Sequence, residues 1–236
     1  MRLSKFISDC GIASRRKAED IIRSGRIKVN NNVVLDPSVD IDYKKDAVLL
    51  DDVRIKEDIK FVYIALNKPV QYISDLKDDK GRKIARNLID VEGKLFPVGR
   101  LDYNSEGLIL FTNDGEFANI IMHPRYEIEK EYYVKVKGRL EREDIMRLRK
   151  GIIIDGSLCR AERVEFLRSS LKNNWYSFIV KEGKNRMIRN MCIAIHHPVL
   201  KLVRVRIGNI KLGRLEPGQY RFLTEKEVSQ IKTKRI

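Results

Sequence analysis

The chain reads as an α+β protein in two parts. A small α/β module occupies residues 1–58, and a larger module over residues 61–236 carries helices on a mixed, mainly antiparallel sheet. Two observations predict this. Strand-like apolar runs recur with hairpin-type turns between them, and the helical stretches lack the regular strand-helix alternation of a doubly wound parallel sheet. The front of the chain also has its own apolar periodicity, closed by the glycine-free charged link Lys56-Glu57-Asp58-Ile59-Lys60.

In the front module, Leu3, Phe6, Ile7 and Cys10 recur at helical spacing, and Gly11 stops that helix. Ser14 caps a second helix through Ile22, with Lys17 standing where a full capping box needs an acid. Strands are expected at Ile27–Val29, Val33–Leu35, Val48–Leu50 and Val53–Ile55, turning at Asn31-Asn32 and Asp51-Asp52. Basic residues, among them Arg15, Arg16, Lys17, Arg26 and Lys28, crowd the first half, while Asp36, Asp40, Asp42, Asp46, Asp51 and Asp52 lie in the second. A basic face around a helix N-terminus suits a phosphate backbone. No aromatic side chains alternate with these charges, so shape and phosphate recognition of folded RNA is the expected mode; a solvated basic helix is the alternative.

In the large module, Phe61–Leu66 is a strand broken at Asn67-Lys68-Pro69. Phe96-Pro97-Val98 breaks at Gly99 into a polar loop, which returns as the apolar strand Leu108–Phe111 and ends at the turn Asn113-Asp114-Gly115. Glu116–Met122 is a short helix, Tyr132–Lys137 an alternating strand, and Leu140–Arg149 a helix with Ile145 and Leu148 inward. Strands at Ile152–Ile154, Cys159–Leu167 and Trp175–Val180 precede a helix over Asn185–Ile195, on which Arg186 and Arg189 share a face. In the strand Leu202–Ile207, Val203, Val205 and Ile207 point inward and leave Arg204 and Arg206 on the opposite face; a last helix starts at Thr224.

A formal charge of +15 and a pI near 9.7 point to a polyanionic partner, with a basic solubilising surface as the alternative. The cysteines Cys10, Cys159 and Cys192 are odd in number and widely spaced, which offers neither a disulfide framework nor a zinc pair. His123, His196 and His197 lack metal-ligand spacing, and neither a serine-hydrolase elbow nor a phosphate-binding Walker loop is present. The N-terminus has charges where a signal peptide needs an apolar core, and no apolar run reaches membrane-spanning length. A soluble cytoplasmic protein without metal or cofactor is expected.

The least ordinary stretch runs from Phe96 to Gly115, where the loop offers the carboxylate of Asp102 between Arg100 and Ser105-Glu106-Gly107. Gly99-Arg100-Leu101-Asp102, followed by Ser105-Glu106-Gly107-Leu108 and Thr112-Asn113-Asp114-Gly115, resembles the signature of bacterial pseudouridine synthases of the RsuA/RluB type. In that family the Asp of the Gly-Arg-Leu-Asp element is catalytic, a role that falls on Asp102. The run Glu129–Val136 resembles the family's Lys-x-Tyr motif, whose Tyr packs against the target base; this places Tyr132, not Tyr133, in that role. Glu182–Met191 resembles a third element and places at Arg189 the cation that pairs with the catalytic Asp, although Asn190 and His196 depart from the Arg and Gly common among relatives. Ala13–Ala18 with Ser24–Asn30 resembles the αL-type RNA-binding module shared with a small-subunit ribosomal protein. The resemblance covers nearly the whole chain and implies a bent sheet with the active site in a central cleft.

The implied reaction moves uracil from its N1 to its C5 attachment on one ribose. Asp102 either attacks C1′ or acts as a base at the sugar, and an adjacent Arg keeps it ionised against desolvation. The target must leave its stack at a cost of a few kcal/mol. Phosphate contacts from Arg100, Arg186, Arg204 and Arg206 are expected to offset that cost. The motif arrangement favours large-subunit ribosomal RNA as the partner. A small-subunit target, a non-catalytic ribosome-assembly protein and a hydrolase releasing uracil are the alternatives. A monomer is expected because the helices show no heptad seam.

Overall fold

Helical periodicity at the front of the chain produces α1 (Leu3–Asp9) and α2 (Arg15–Arg23), with Ser14 accepting a hydrogen bond from the Lys17 backbone as the α2 cap. The computed structural model describes residues 1–56 and 60–234, so the link residues Glu57, Asp58 and Ile59 lie outside the described residues. Contacts divide the chain into Met1–Phe61 with Glu92–Lys94, and Val62–Val91 with Leu95–Ile236.

In the first unit, β1 (Ile27–Val29), β2 (Asn32–Val33), β3 (Val48–Leu50) and β4 (Val53–Arg54) form an antiparallel sheet in the order β2-β1-β3-β4. Two of its turns place both central residues at positive φ, Asn30-Asn31 and Asp51-Asp52. Asn and Asp tolerate this conformation, which matches the twist of a two-residue hairpin. The first turn therefore sits one residue earlier than expected. Leu3, Phe6, Ile7, Ala18, Ile22, Ile27 and Val48 make the core between helices and sheet.

The second unit is organised on one large sheet. Its strands are β5 (Tyr63–Lys68), β8 (Phe96–Val98), β9 (Glu106–Thr112), β10 (Lys130–Lys137), β13 (Arg163–Ser170), β14 (Asn173–Val180), β15 (Val199–Ile207), β16 (Ile210–Lys211) and β17 (Tyr220–Phe222). The order is β13-β14-β10-β15-β9-β5-β17, with β8 beside β9 and β16 beside β15. Pairing within it is antiparallel except between β9 and β15. Two small ladders lie outside it, β6 (Tyr72–Ile73) with β7 (Lys83–Ile84) and β11 (Ile152–Ile154) with β12 (Ser157–Cys159). The single strand expected over Cys159–Leu167 is thus two strands belonging to different ladders.

The helices are α3 (Gly115–Met122), α4 (Arg142–Lys150), α5 (Met187–Ala194) and α6 (Glu225–Lys232). Central strands are covered on both faces, so they read as continuous apolar runs. Ile64, Leu66, Ile109 and Phe111 join the core with α4 and α5, whereas Ala65, Leu108 and Leu110 face Phe117 and Ile121 of α3 and Ile231 of α6. Each fully buried Leu, Ile or Phe among them contributes about 1.5–3 kcal/mol.

One ion pair ties the second core together. Asp114 caps α3 through the backbone N–H groups of Glu116 and Phe117, and its Oδ2 lies 2.7 Å from both Tyr63 Oη and Lys232 Nζ. Burial works to raise this carboxyl, but hydrogen bonds from Lys232 and Tyr63 outweigh it and leave Asp114 below the usual carboxylate range. Asp114 therefore contributes stability that is fully present above the unfolded-state value and is lost as pH falls through the depressed folded value.

Two stability outcomes follow. Asp114→Asn keeps the cap but not the charge, and is expected to cost roughly 1–3 kcal/mol near neutral pH by urea unfolding, a difference that shrinks as the pH is taken down through the acid range. Gly107, at φ 104°, admits no side chain, because a Cβ there would overlap the Arg204 carbonyl oxygen and lie 2.7 Å from the Arg204 nitrogen. Gly107→Ala is expected to cost about 3 kcal/mol or more, against about 1 kcal/mol for Gly156→Ala, a positive-φ turn with open space around it. Equal costs at the two positions would contradict the close approach.

Candidate active site

The loop between β8 and β9 is short, polar and held from beneath. Ser74 Oγ donates to the Leu101 carbonyl and accepts from the Leu101 N–H, both at 2.9 Å. The Gln71 N–H donates to Tyr103 O, and the Ser105 N–H closes a turn onto Asp102 O. These bonds fix the loop on either side of Asp102 and leave its side chain partly open to a cavity of about 520 Å³. That volume is within the range of sites that bury a small molecule.

Two cations flank the carboxylate. Asp102 Oδ2 lies 3.6 Å from Arg189 Nε and 3.9 Å from Arg186 Nη1. Arg189 is on the first turn of α5, and its Nη2 donates to Asn104 O at 2.9 Å and to buried Ser105 Oγ at 3.1 Å. Burial lowers the Arg189 guanidinium from its usual value while the charge of Asp102 opposes that shift. Arg186 is not helical: it precedes α5 at φ 49°, a left-handed conformation that turns its side chain towards Asp102. The two arginines expected on one helical face thus reach the same acid from a turn and from a helix. Beneath them Cys192 is buried, and burial pushes its thiol up to about 12, which removes it as a nucleophile.

β10 supplies the aromatic wall. Its alternation buries Lys130, Tyr132, Val134 and Val136, so Tyr132 is 8% exposed against 39% for Tyr133. Tyr132 and Asp102 both line the cavity.

The arginines of β15 do not share a face. Tyr132 pairs with Arg204 and Glu131 with Arg206, so Val205 is an extra residue in a β-bulge. The bulge reverses the alternation on which the sequence expectation rested. Arg204 turns to the Tyr132 face and is 3% exposed, with Nε donating to Leu108 O at 2.7 Å and Nη1 to Tyr132 Oη at 3.4 Å. Arg206 turns to the other face and binds Glu131 at 2.9 Å and Glu129 at 3.2 Å. A buried Arg204 and an acid-paired Arg206 overturn the expectation of two solvent-facing phosphate contacts. Arg100 is exposed at the cavity rim, 3.8 Å from Asp75.

The basic residues of the first unit fall into two groups. Arg15, Arg16 and Lys17 are exposed on the first turn of α2. Arg26 and Lys28 instead pair with Asp51 and Asp52 of the facing turn.

Of two buried lysines near the acid and the tyrosine, Lys68 escaped the sequence reading, and Lys130 entered it only as the Lys of the Lys-x-Tyr motif. Lys68, 0% exposed, donates to Pro69 O and Tyr72 O at 2.9 and 2.7 Å. Burial lowers its ammonium to about 8, with Asp102 and Glu106 resisting. Lys130 lines the cavity, donates to Ile128 O and Lys181 O, and is lowered to about 8 by burial and by Arg204. In the sequence Lys68 looked like part of a strand-breaking turn. Its one signal was its position directly after a run of buried strand residues.

The geometry is that of a carboxylate flanked by two arginines and sharing a cavity of about 520 Å³ with a tyrosine ring. Comparison with known proteins agrees with it. Residues 62–194 match the family model described as RNA pseudouridylate synthase, and residues 1–48 match the S4 domain. An uncharacterized RNA pseudouridine synthase of Aquifex aeolicus is 40% identical over 98% of this chain and 93% of its own length. The ribosomal large subunit pseudouridine synthase B of Bacillus subtilis is 38% identical over 98% of this chain and 95% of its own. A crystal structure of a pseudouridylate synthase superimposes with a TM-score of 0.67 at 28% identity, covering 98% of this chain and 99% of that one. The relatives and the solved structure match over nearly the full length and the family model over residues 62–194, and this chain belongs to the RNA pseudouridine synthases, which isomerise uridine to pseudouridine.

Proposed function

We propose that this enzyme acts on one uridine of ribosomal RNA, in the large subunit, as a cytoplasmic monomer. The observation that carries the catalytic assignment is Asp102 between Arg186 and Arg189 on the cavity that Tyr132 lines. The relationship to the Bacillus subtilis large-subunit enzyme over 98% of the chain supports the choice of RNA.

In this reading a uridine extruded from its helix enters the cleft and stacks on Tyr132. Asp102 faces the sugar and either attacks C1′ or removes a sugar proton, with the Arg189 guanidinium beside it in both cases. Arg189 is itself oriented by Asn104 and Ser105, so the loop that carries the acid also aims its partner. Arg100 and Arg186 lie at the opening, where the flanking phosphates of an extruded nucleotide would run. The first unit adds a phosphate contact through Arg15, Arg16 and Lys17. Arg26 and Lys28 contribute less, because Asp51 and Asp52 already neutralise them.

Asp102→Asn is expected to lower tritium release from C5-labelled uridine in ribosomal RNA at least a thousandfold, with RNA affinity within about threefold of the parent. Undiminished release would reject the mechanism. Free uracil among the products would instead make the enzyme a hydrolase. Mapping pseudouridine in ribosomal RNA from cells with and without the gene tests the substrate: one site is expected to disappear from the large subunit, and loss from the small subunit would reassign it. Finally, replacing Arg15, Arg16 and Lys17 by Ala is expected to flatten the log-log salt dependence of RNA binding by up to about 3, roughly one per lost phosphate contact. Arg26→Ala with Lys28→Ala is expected to change that slope by less than about 1.

A further inference from the structure

The cleft is electrostatically lopsided. On its sugar-facing side the acid Asp102 is matched by Arg189 and Arg186. Around Tyr132, Arg204 and Lys130 have no acid partner among the described residues. Arg204 lines the cavity, and its Nη2 is buried with no hydrogen-bond partner among the described residues, although its Nε and Nη1 are engaged. Lys130, beside it, donates only to backbone carbonyls. The nearby carboxylates are committed elsewhere, Glu131 to Arg206 and Glu106 to Lys201. Burying an unpaired cation is costly, and the cost is tolerated where negative charge will appear.

Isomerisation generates such a charge. When the C1′–N1 bond breaks heterolytically, its electron pair stays with the uracil and spreads over N1, O2 and O4. The ribose is left as an ester with Asp102, or as an unsaturated sugar after Asp102 has taken a proton from it. Both routes finish when C5 bonds to C1′, the carboxylate is restored, C5 loses its proton and N1 gains one. An ionised uracil stacked on Tyr132 would therefore lie beside Arg204, whose guanidinium sits 5.9 Å from the centre of that ring.

Resting on the isomerase reading, we propose that Arg204 is a further catalytic residue, whose guanidinium, lining the cavity beside Tyr132, stabilises the negative charge on the departing uracil. Its aim is fixed from two directions. Nε is anchored on Leu108 O, and the backbone of Arg204 is held against that of Gly107 by the β9–β15 pairing. A neutral uracil in the ground state gains little from this group, so its contribution falls on the chemical step and not on binding.

Single-turnover assays of the full chain on a ribosomal RNA fragment test this. Arg204→Gln is expected to slow pseudouridine formation about 10²–10³-fold with RNA affinity within about threefold, and Arg204→Lys is expected to recover part of the rate. The distinguishing readout is the same fragment carrying 5-fluorouridine at the target, followed as loss of N-linked 5-fluorouridine from nuclease digests. Fluorine makes uracil a better leaving group, so the Arg204→Gln deficit is expected to shrink at least tenfold. An equal deficit on both RNAs would overturn the proposal. So would weakened RNA binding with an unchanged single-turnover rate, which would make Arg204 a phosphate contact. Wild-type turnover in the same assay separates the two readings. An inactive wild type contradicts the isomerase assignment, whereas an active wild type with an unimpaired Arg204→Gln contradicts only the role of Arg204. A melting profile for Arg204→Lys that matches wild type excludes unfolding as the cause of any loss.

Discussion

The approach of two backbones, Gly107 on β9 and Arg204 on β15, is the constraint on which the cleft depends. These strands are separated by most of the second unit in sequence, and their two-residue parallel pairing joins Glu106 to Val203 and Gly107 to Arg204. The pairing closes only because Gly107 carries no side chain. Ser105, two residues before Gly107, orients Arg189, and the Asp102 loop ends there. On the other side of the seam, β15 also pairs with β10 and so brings Tyr132 to the same cavity. A loosened seam would move acid, arginine and aromatic wall apart together, and placement errors near 1 Å are enough to cost about a hundredfold in rate.

Charge in the cleft follows a second rule: each buried cation is positioned by carbonyl or hydroxyl oxygens before it meets any acid. Arg189 rests on Asn104 O and Ser105 Oγ, Lys68 on Pro69 O and Tyr72 O, Lys130 on Ile128 O and Lys181 O, and Arg204 on Leu108 O. Neutral acceptors hold the side chains without cancelling their charge. The field therefore remains available for a group that arrives with the RNA, and it requires no reorganisation when charge develops.

How much of this could be read from residues alone depended on how local each signal was. The Asp102 loop was legible because glycine, charge and an abrupt return to an apolar run lie within twenty residues of chain. The choice of Tyr132 over Tyr133 needed only the two-residue period of a strand, and β10 keeps that period throughout. The same rule failed on β15, since one inserted residue, Val205, shifts the register against β10 and sends Arg204 inward and Arg206 outward. A bulge arises from pairing with a neighbour and leaves no periodic trace on its own strand. Lys68 was hidden for a related reason. Next to Pro69 it looks like the start of a turn, but tertiary cover carries β5 two residues further and buries the ammonium. The crowding of bases into the first half of the front module and of acids into the second was visible, yet only the pairing of β1 with β3 showed which bases the acids neutralise.

The isomerisation asks for opposite things at the two ends of one bond. The sugar end needs an anion that can attack or take a proton, and the base end needs a cation that can receive a departing electron pair. Held in contact, such groups would neutralise each other as an ordinary buried salt bridge, and the attraction would have to be broken before catalysis. The sheet prevents this by assigning them to different anchors, Asp102 to a loop pinned by Ser74 and Arg204 to the Leu108 carbonyl. Arg189 and Arg186 satisfy the acid on one side, and the tyrosine hydroxyl takes one arm of Arg204 on the other. In the proposed reading the nucleoside fills the gap left between the two. Val98, Leu101, Val180 and Leu202 line the same cavity, and in that reading their apolar surface favours return of the detached uracil to C1′ through C5 over attack by water. Retention of the base, and with it isomerisation instead of hydrolysis, then follows from how the charges are separated.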